Sequence, residues 1–269
     1  MRVGIVGCGH MAQAMIARWL EAGTLTPVDL SACTAHEASA SAVRRTLGIA
    51  CGTDIAPVVA AAELVLLAFK PQQLGTILPQ VAAVARPGQV WLSVLAGVDT
   101  ARLESGLSEA ATVVRCMPNT PVRLGLGDVA MAPGRHATAA TLASVRRLLA
   151  PLGQVLELPE DKMDAFTAVA GCGPAYVFLF LEALAQAAEA AGLPPASTAG
   201  LARQVANGAL ALAAADPRSP AELRVEVTSK GGMTEAALAE LAAAGWQAAL
   251  VRAVGAAVLR GKALAASES

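Results

Sequence analysis

The sequence has 269 residues, with 20 basic and 21 acidic side chains and a formal net charge of −1. With no long run of like charge, it gives no electrostatic footprint for nucleic acid or an anionic membrane, and small-molecule work is the better expectation. Hydrophobic residues make up 55% but aromatics only 3%, so Ala, Val and Leu must fill the core. Five cysteines without a C-x-x-C, and His10, His36 and His136 without metal-ligand spacing, predict no metal site and a cytoplasmic protein. No apolar run of 18 residues lacks a polar interruption and no cleavable signal opens the chain, so no membrane association is expected.

In chain order, residues 2–7, RVGIVG, read as a strand. It feeds into Gly7-Cys8-Gly9-His10-Met11-Ala12 and then a helical pattern that stops at Gly23. This is G-x-G-x-x-A with a strand before it and a helix after it, the context in which the motif signals dinucleotide binding. Gly7 permits the turn, Gly9 lets backbone approach a pyrophosphate, and Ala12 seats the helix on the sheet. The helix N-terminus offers unpaired N–H groups to the phosphates. The competing reading is a glycine turn that binds nothing.

A second strand at 28–32 should end near the adenosine ribose, where NAD-specific sites place an acid. The chain reads Ser31-Ala32-Cys33-Thr34-Ala35-His36, with no acid at the strand end. NADPH is therefore expected over NADH, with Thr34, Arg44 or Arg45 available to a 2′-phosphate. Thr34 could equally be a plain cap for the helix from Glu37.

Strands at 63–69, 90–94 and 112–116 alternate with helices, the pattern of a doubly wound parallel sheet. Ligands bind beyond the carboxyl ends of such strands. Ala68-Phe69-Lys70-Pro71 and Met117-Pro118-Asn119-Thr120-Pro121 fall there; Lys70 and Asn119 are candidate cofactor contacts, Lys70 being equally readable as a solvated strand-end lysine. A helix at 138–150 and a strand at 154–158 follow, and the alternation then ceases. A dinucleotide-binding domain at 1–159 and a helical domain at 160–269 are expected, with 267–269 frayed.

The helical half is built on residues 171–191, GCGPAYVFLFLEALAQAAEAA, apolar all round from 175 to 181. Pro174 suits the first turn, and Gly192 with Pro194 ends the helix. So apolar a helix needs more cover than about 110 residues can supply, which predicts a second subunit. One loop interrupts this half: Ser229-Lys230-Gly231-Gly232-Met233-Thr234. Its glycine N–H groups, flanking hydroxyls and helix N-terminus suit a carboxylate. Thr234 alone would more often be an N-cap.

GCGHMA, AFKP, LSVLAGV, RCMPNTP, DAFTAVAGCGPAYVFLFLEAL and VTSKGGMT occur in an order and spacing that closely resembles pyrroline-5-carboxylate reductases over nearly the whole chain. The resemblance implies a Rossmann domain and an all-α C-terminal dimerisation domain, with five such dimers in a further assembly. It also implies NAD(P)H-dependent reduction of 1-pyrroline-5-carboxylate to L-proline. Carried over residue by residue, Gly7, Gly9, Met11, Ala12, Thr34, Ala68, Lys70, Pro71, Ala96 and Gly97 match cofactor positions. Glu160, Ser229, Met233 and Thr234 match the substrate pocket, with Thr234 on the ring nitrogen and Ser229 and the Gly231-Gly232 N–H groups on the carboxylate. Cys172, Lys230 and Ile55 depart from the common pattern. A hydroxy-acid dehydrogenase of the same plan and a non-catalytic NADP sensor are the alternatives.

Overall fold

A computed structural model describes Met1–Ser267, with side chains to 263. The expectation for 268 and 269 lies outside the described residues. Two compact units result: Met1–Cys172 with the stretch from Ala257, and Gly173–Ala256.

The first unit alternates strands and helices: β1 (Val3–Val6), α1 (His10–Glu21), β2 (Leu30–Cys33), α2 (Glu37–Leu47), β3 (Ala50–Gly52), α3 (Ile55–Ala61) and β4 (Leu64–Leu67). It continues through α4 (Leu74–Ala82), β5 (Val90–Ser93), α5 (Thr100–Leu107), β6 (Thr112–Pro118), β7 (Gly127–Pro133), α6 (Ala139–Leu149), β8 (Gly153–Glu157) and the short α7 (Met163–Phe166). The described strands form one sheet in the order β3-β2-β1-β4-β5-β6-β7-β8. From β3 to β6 all neighbours are parallel, but β7 runs antiparallel to β6 and β8 parallel to β7. The expected all-parallel sheet is thus corrected at its last two strands, where the short Thr120–Leu124 turn reverses the chain in place of a helical crossover.

Two large apolar cores, and a smaller one of Met117, Ala130, Ala132 and Met163, lie on the sheet. One gathers Met15, Ile16 and Trp19 of α1 with Leu148 of α6, and the Trp19 indole donates to the Leu148 carbonyl at 2.7 Å. The other gathers Val59, Leu78, Val81 and Leu103 of α3, α4 and α5. Residues 27–29, expected to include the start of β2, form a 3-10 turn, because Thr26 and Asp29 close a reciprocal capping box there. At the β8 edge, Arg146 donates to the Val155 carbonyl at 2.9 Å and to Glu157 at 3.0 Å.

The second unit is helical: α8 (Gly173–Ala190), α9 (Pro195–Ala215), α10 (Pro220–Glu226), α11 (Met233–Ala243) and the first half of α12 (Trp246–Ser267). A π-helical turn at Thr167–Gly171, closed by Cys172 N–H to the Thr167 carbonyl at 2.9 Å, precedes α8. Helices α8, α10 and α11 bury no residue, and α9 buries only Thr198 and Ala202. Phe178 and Leu179 are 60% and 64% exposed. The continuous helix Glu160–Ala190 reaches a mean hydropathy of 1.6, so by length and composition alone it could cross a membrane. An apolar surface this extended marks a face that another surface covers.

Candidate functional site

Strand β1 ends at Val6, and Gly7 turns the chain with φ +85°. The Gly7 N–H donates to the Cys33 carbonyl at 3.0 Å, so the turn is tied to the end of β2. The Gln13 side chain donates to the Cys8 carbonyl at 2.8 Å and fixes the turn from the helix side. Gly9 is the N-cap of α1, with no side-chain cap and nothing within 4 Å of where a Cβ would sit. Open space in front of an uncapped twelve-residue helix fits a pyrophosphate.

Around this turn lies a groove of about 580 Å³. It brings together Gly7, Gly9, Thr34, Ala68 and Lys70, five of the expected cofactor positions, with Ile55 in its wall. Ala12 is buried where α1 meets the sheet, Met11 packs against the first core, and Pro71 opens the short turn that follows Lys70. His36, Ser39 and Gln73 also line the groove; no motif pointed to them.

The wall beyond β2 differs from expectation in two respects. Thr34 does not cap α2: His36 is the N-cap, and the Thr34 hydroxyl donates to the His36 carbonyl at 3.0 Å. Arg44 is held by Glu37 Oε1 at 2.5 Å, Ser41 at 2.7 Å and the Cys51 carbonyl at 2.5 Å. The Arg44 hydrogen bond, aided by Ser41, holds the Glu37 carboxyl below the usual range.

Ala96 and Gly97 line a second cavity, of about 220 Å³, together with Arg115, Met117, Thr167 and Cys172. Arg115 is 4% exposed and donates to Glu160 Oε1 at 2.5 Å. Arg115 Nε and Glu160 Oε2 are buried without a partner. Glu160, expected to face the substrate, is therefore first the counter-ion of a buried guanidinium. Removing one member of such a pair leaves an uncompensated charge inside. Glu160→Ala should lower stability by about 3 kcal/mol, measured by urea unfolding, and Glu160→Gln should recover part of it. A loss below about 1 kcal/mol would show an ion pair open to water.

Asn119, expected among the cofactor contacts, is turned inward. Its amide donates to the Ala170 carbonyl at 3.0 Å and accepts from Asp128 N–H at 3.0 Å, clasping β6 to β7 and to the π-helical turn. Burial pushes the Cys8 and Cys116 thiols up to about 12 and Cys33 to about 11, so these are packing residues and not nucleophiles.

In the helical unit, Gly231 adopts φ +71° and Gly232 is the N-cap of α11, without a side-chain cap. Thr234 is thus the second residue of the helix, and the N-cap reading of it does not hold. Thr234, Ser229 and Met233 are exposed, Met233 at 92%. A Cβ at 232 would displace the Ser229 hydroxyl and lie 3.0 Å from the Ser229 carbonyl oxygen, so a side chain here would disturb Ser229. The Gly231 N–H, expected to serve a ligand carboxylate, donates to Glu235 at 2.6 Å. An anionic side chain already sits where the loop was expected to hold one.

Residues 160–264 match the family model described as pyrroline-5-carboxylate reductase dimerisation, and residues 2–97 match that of NADP oxidoreductase, coenzyme F420-dependent. The pyrroline-5-carboxylate reductase of Synechocystis is 37% identical over 98% of both chains. That of Pseudomonas aeruginosa is 35% identical over 98% of this chain and 97% of its own. The solved structure of such an enzyme from Coxiella burnetii superposes with a TM-score of 0.90, at 28% identity, over 98% of both chains.

Proposed function

The chain belongs to the pyrroline-5-carboxylate reductase family, and from that premise we propose how its own residues carry the NAD(P)H-dependent reduction of 1-pyrroline-5-carboxylate to L-proline. The observation behind the reading is the glycine turn, with its open position at Gly9 and the uncapped helix behind it. Bound NADPH supplies the hydride that the imine carbon accepts. Gly7 shapes the pyrophosphate turn, and the N–H groups from His10 to Ala12 face the phosphates. The strand end beyond β2 carries no free acid, which favours NADPH over NADH. Ala96 and Gly97 complete the cofactor positions.

The helical unit contributes the substrate loop. Ser229 and the backbone N–H groups around Gly232 take the carboxylate, Glu235 releasing the Gly231 N–H as it arrives. Thr234 Oγ orients the ring nitrogen, with Met233 beside it. A cyclic imine takes up its proton before the hydride comes, so no strong buried acid is required, and catalysis rests on positioning and exclusion of water. We assign the dinucleotide-binding domain to 1–159 and the helical domain to 160–269, while the compact units divide after Cys172.

Self-association through the helical domain accounts for its exposed apolar face. A second copy of the chain, not lipid, is the cover we assign to it, with five dimers in the full assembly, in the cytoplasm.

The test is NADPH consumption, followed by absorbance, with pyrroline-5-carboxylate and with a panel of keto acids. Turnover on the keto acids alone would sink the substrate reading. Ser229→Ala removes a hydrogen bond to a charged group, worth about 1.5 to 3 kcal/mol in ground and transition state alike, and should mainly raise KM. Thr234→Ala loosens the nitrogen that becomes an amine, so kcat and kcat/KM should both fall, with Thr234→Ser recovering most of the loss. If Thr234→Ala leaves both constants unchanged, the hydroxyl has no part in the reaction.

A further inference from the structure

We propose that Asn119 is a positioning residue for the nicotinamide end of the cofactor, and that it acts through the π-helical turn at Thr167–Gly171. The inference rests on the cofactor reading of the Gly7–Gly9 turn. A dinucleotide laid across β1 has its adenosine half over β2 and its nicotinamide half over the strands on the other side. Those are β4, β5 and β6, in that order. The cavity of about 220 Å³ lies there, lined by Ala96 and Gly97 after β5 and by Met117 near the end of β6. The π-helical turn and the residue after it supply more of its lining, through Thr167, Ala168 and Cys172.

What fixes that turn begins with a proline. In an α-helix the Ala170 carbonyl would accept from the N–H four residues on. That residue is Pro174, which has no N–H. The Asn119 amide donates to this carbonyl instead, at 3.0 Å. Its oxygen accepts the Asp128 N–H, also at 3.0 Å, so a backbone acceptor on one side and a backbone donor on the other leave the amide a single orientation. Asn119 is 5% exposed, and its own N–H donates to the Asp128 carbonyl at 3.3 Å. The side chain therefore ties a turn 51 residues away to the junction of β6 and β7.

The bonds inside the turn set its shape: the Thr167 hydroxyl donates to the Met163 carbonyl at 2.7 Å, and the Cys172 N–H to the Thr167 carbonyl at 2.9 Å. The Asn119 bond sets where that shape stands relative to β6. Hydride transfer depends on this placement, since a reacting group misplaced by about 1 Å can cost about a hundredfold in rate.

The test compares wild type with Asn119→Asp, Asn119→Ala, Pro174→Ala and the Asn119→Ala/Pro174→Ala double variant. Asn119→Asp keeps the size and the acceptor for Asp128 while losing the amide donor. Pro174→Ala gives the Ala170 carbonyl an N–H within its own helix, so the double variant should keep that carbonyl bonded and the chain folded without the tie to β6. The readouts are melting temperature, kcat with NADPH and pyrroline-5-carboxylate, and calorimetric affinity for NADP+ and for 2′,5′-ADP, which lacks the nicotinamide end. Asn119→Asp and Asn119→Ala should lose about ten- to hundredfold in kcat. Their NADP+ affinity should fall about three- to tenfold, with 2′,5′-ADP affinity within about twofold of wild type. The double variant, measured against Pro174→Ala alone, should regain melting temperature but not kcat. If kcat and NADP+ affinity stay at wild-type values and only the melting temperature falls, Asn119 is a clasp with no part in cofactor placement, and the inference fails. It fails too if 2′,5′-ADP affinity drops as far as NADP+ affinity, or if Pro174→Ala restores kcat along with stability. In each of these cases wild type still binds both ligands and the cofactor reading stands; a wild type that binds neither overturns that reading, and the inference with it.

Discussion

Gly7→Ala should lower the melting temperature by about 5 to 15 °C and abolish NADPH-dependent turnover. Two independent costs meet at this position. Its φ of +85° strains any residue with a Cβ, by about 1 to 2 kcal/mol. The Cβ would also lie 2.6 Å from the Phe69 nitrogen and 2.7 Å from its Cα, which are backbone atoms that cannot rotate away. Relief requires β1 and β4 to part, against the Ala68 N–H bond to the Val6 carbonyl at 2.8 Å, at a further cost of about 1 to 3 kcal/mol. Gly9→Ala is the matched control. Its Cβ meets nothing within 4 Å, so the melting temperature should hold while the KM for NADPH rises, because the methyl occupies the approach to the phosphates. A Gly7→Ala protein with wild-type stability, or a Gly9→Ala protein with wild-type KM, would remove the cofactor turn from the account.

Phe178→Glu combined with Leu179→Glu should abolish self-association and most of the helical domain's stability together. Neither side chain is buried in the single chain, and α8 has no buried residue at all. Within the chain α8 packs on α9, and the rest of its cover comes from a second copy, with each apolar side chain contributing about 1.5 to 3 kcal/mol when covered. A symmetric interface counts each substitution twice. Sedimentation should show the wild type as a dimer or a multiple of it, and the variant as a monomer with reduced helical circular dichroism. A wild-type monomer that is stable and active would refute the assignment.

The legible part of the sequence was the part with strong local signals. The turn at Gly7 and Gly9 and the end of α8 at Gly192 could be read because glycine at such points has few other uses. Strand β3, Ala50-Cys51-Gly52, escaped because it has no β-branched or aromatic residue and is held by its pairing with β2. Strand β7 escaped for a related reason: Gly127-Asp128-Val129-Ala130-Met131-Ala132-Pro133 has one β-branched residue, and its direction is set by a reversal that no periodicity reveals.

Within the candidate site, the glycine turn after β1 was legible from local sequence, while long-range side-chain pairing was not. Asn119 looked like a presented group because two prolines flank it, yet its partners, Asp128 and Ala170, lie 9 and 51 residues away. Arg115 and Glu160 are 45 residues apart, and nothing in either neighbourhood announces the pairing. His36 lines the groove, yet a histidine near a strand end matches no motif.

The margins of the sheet bear on how this protein fails when crowded. One margin is β3, only three residues long, and the other is β8, where the Arg146 guanidinium already occupies the Val155 carbonyl. Neither presents a long row of free amides to a neighbouring chain, so fibril-like stacking of strands has little to start from. Turbidity in concentrated solutions should therefore be amorphous and free of thioflavin fluorescence, arising from the uncovered apolar helices when a partner is lacking.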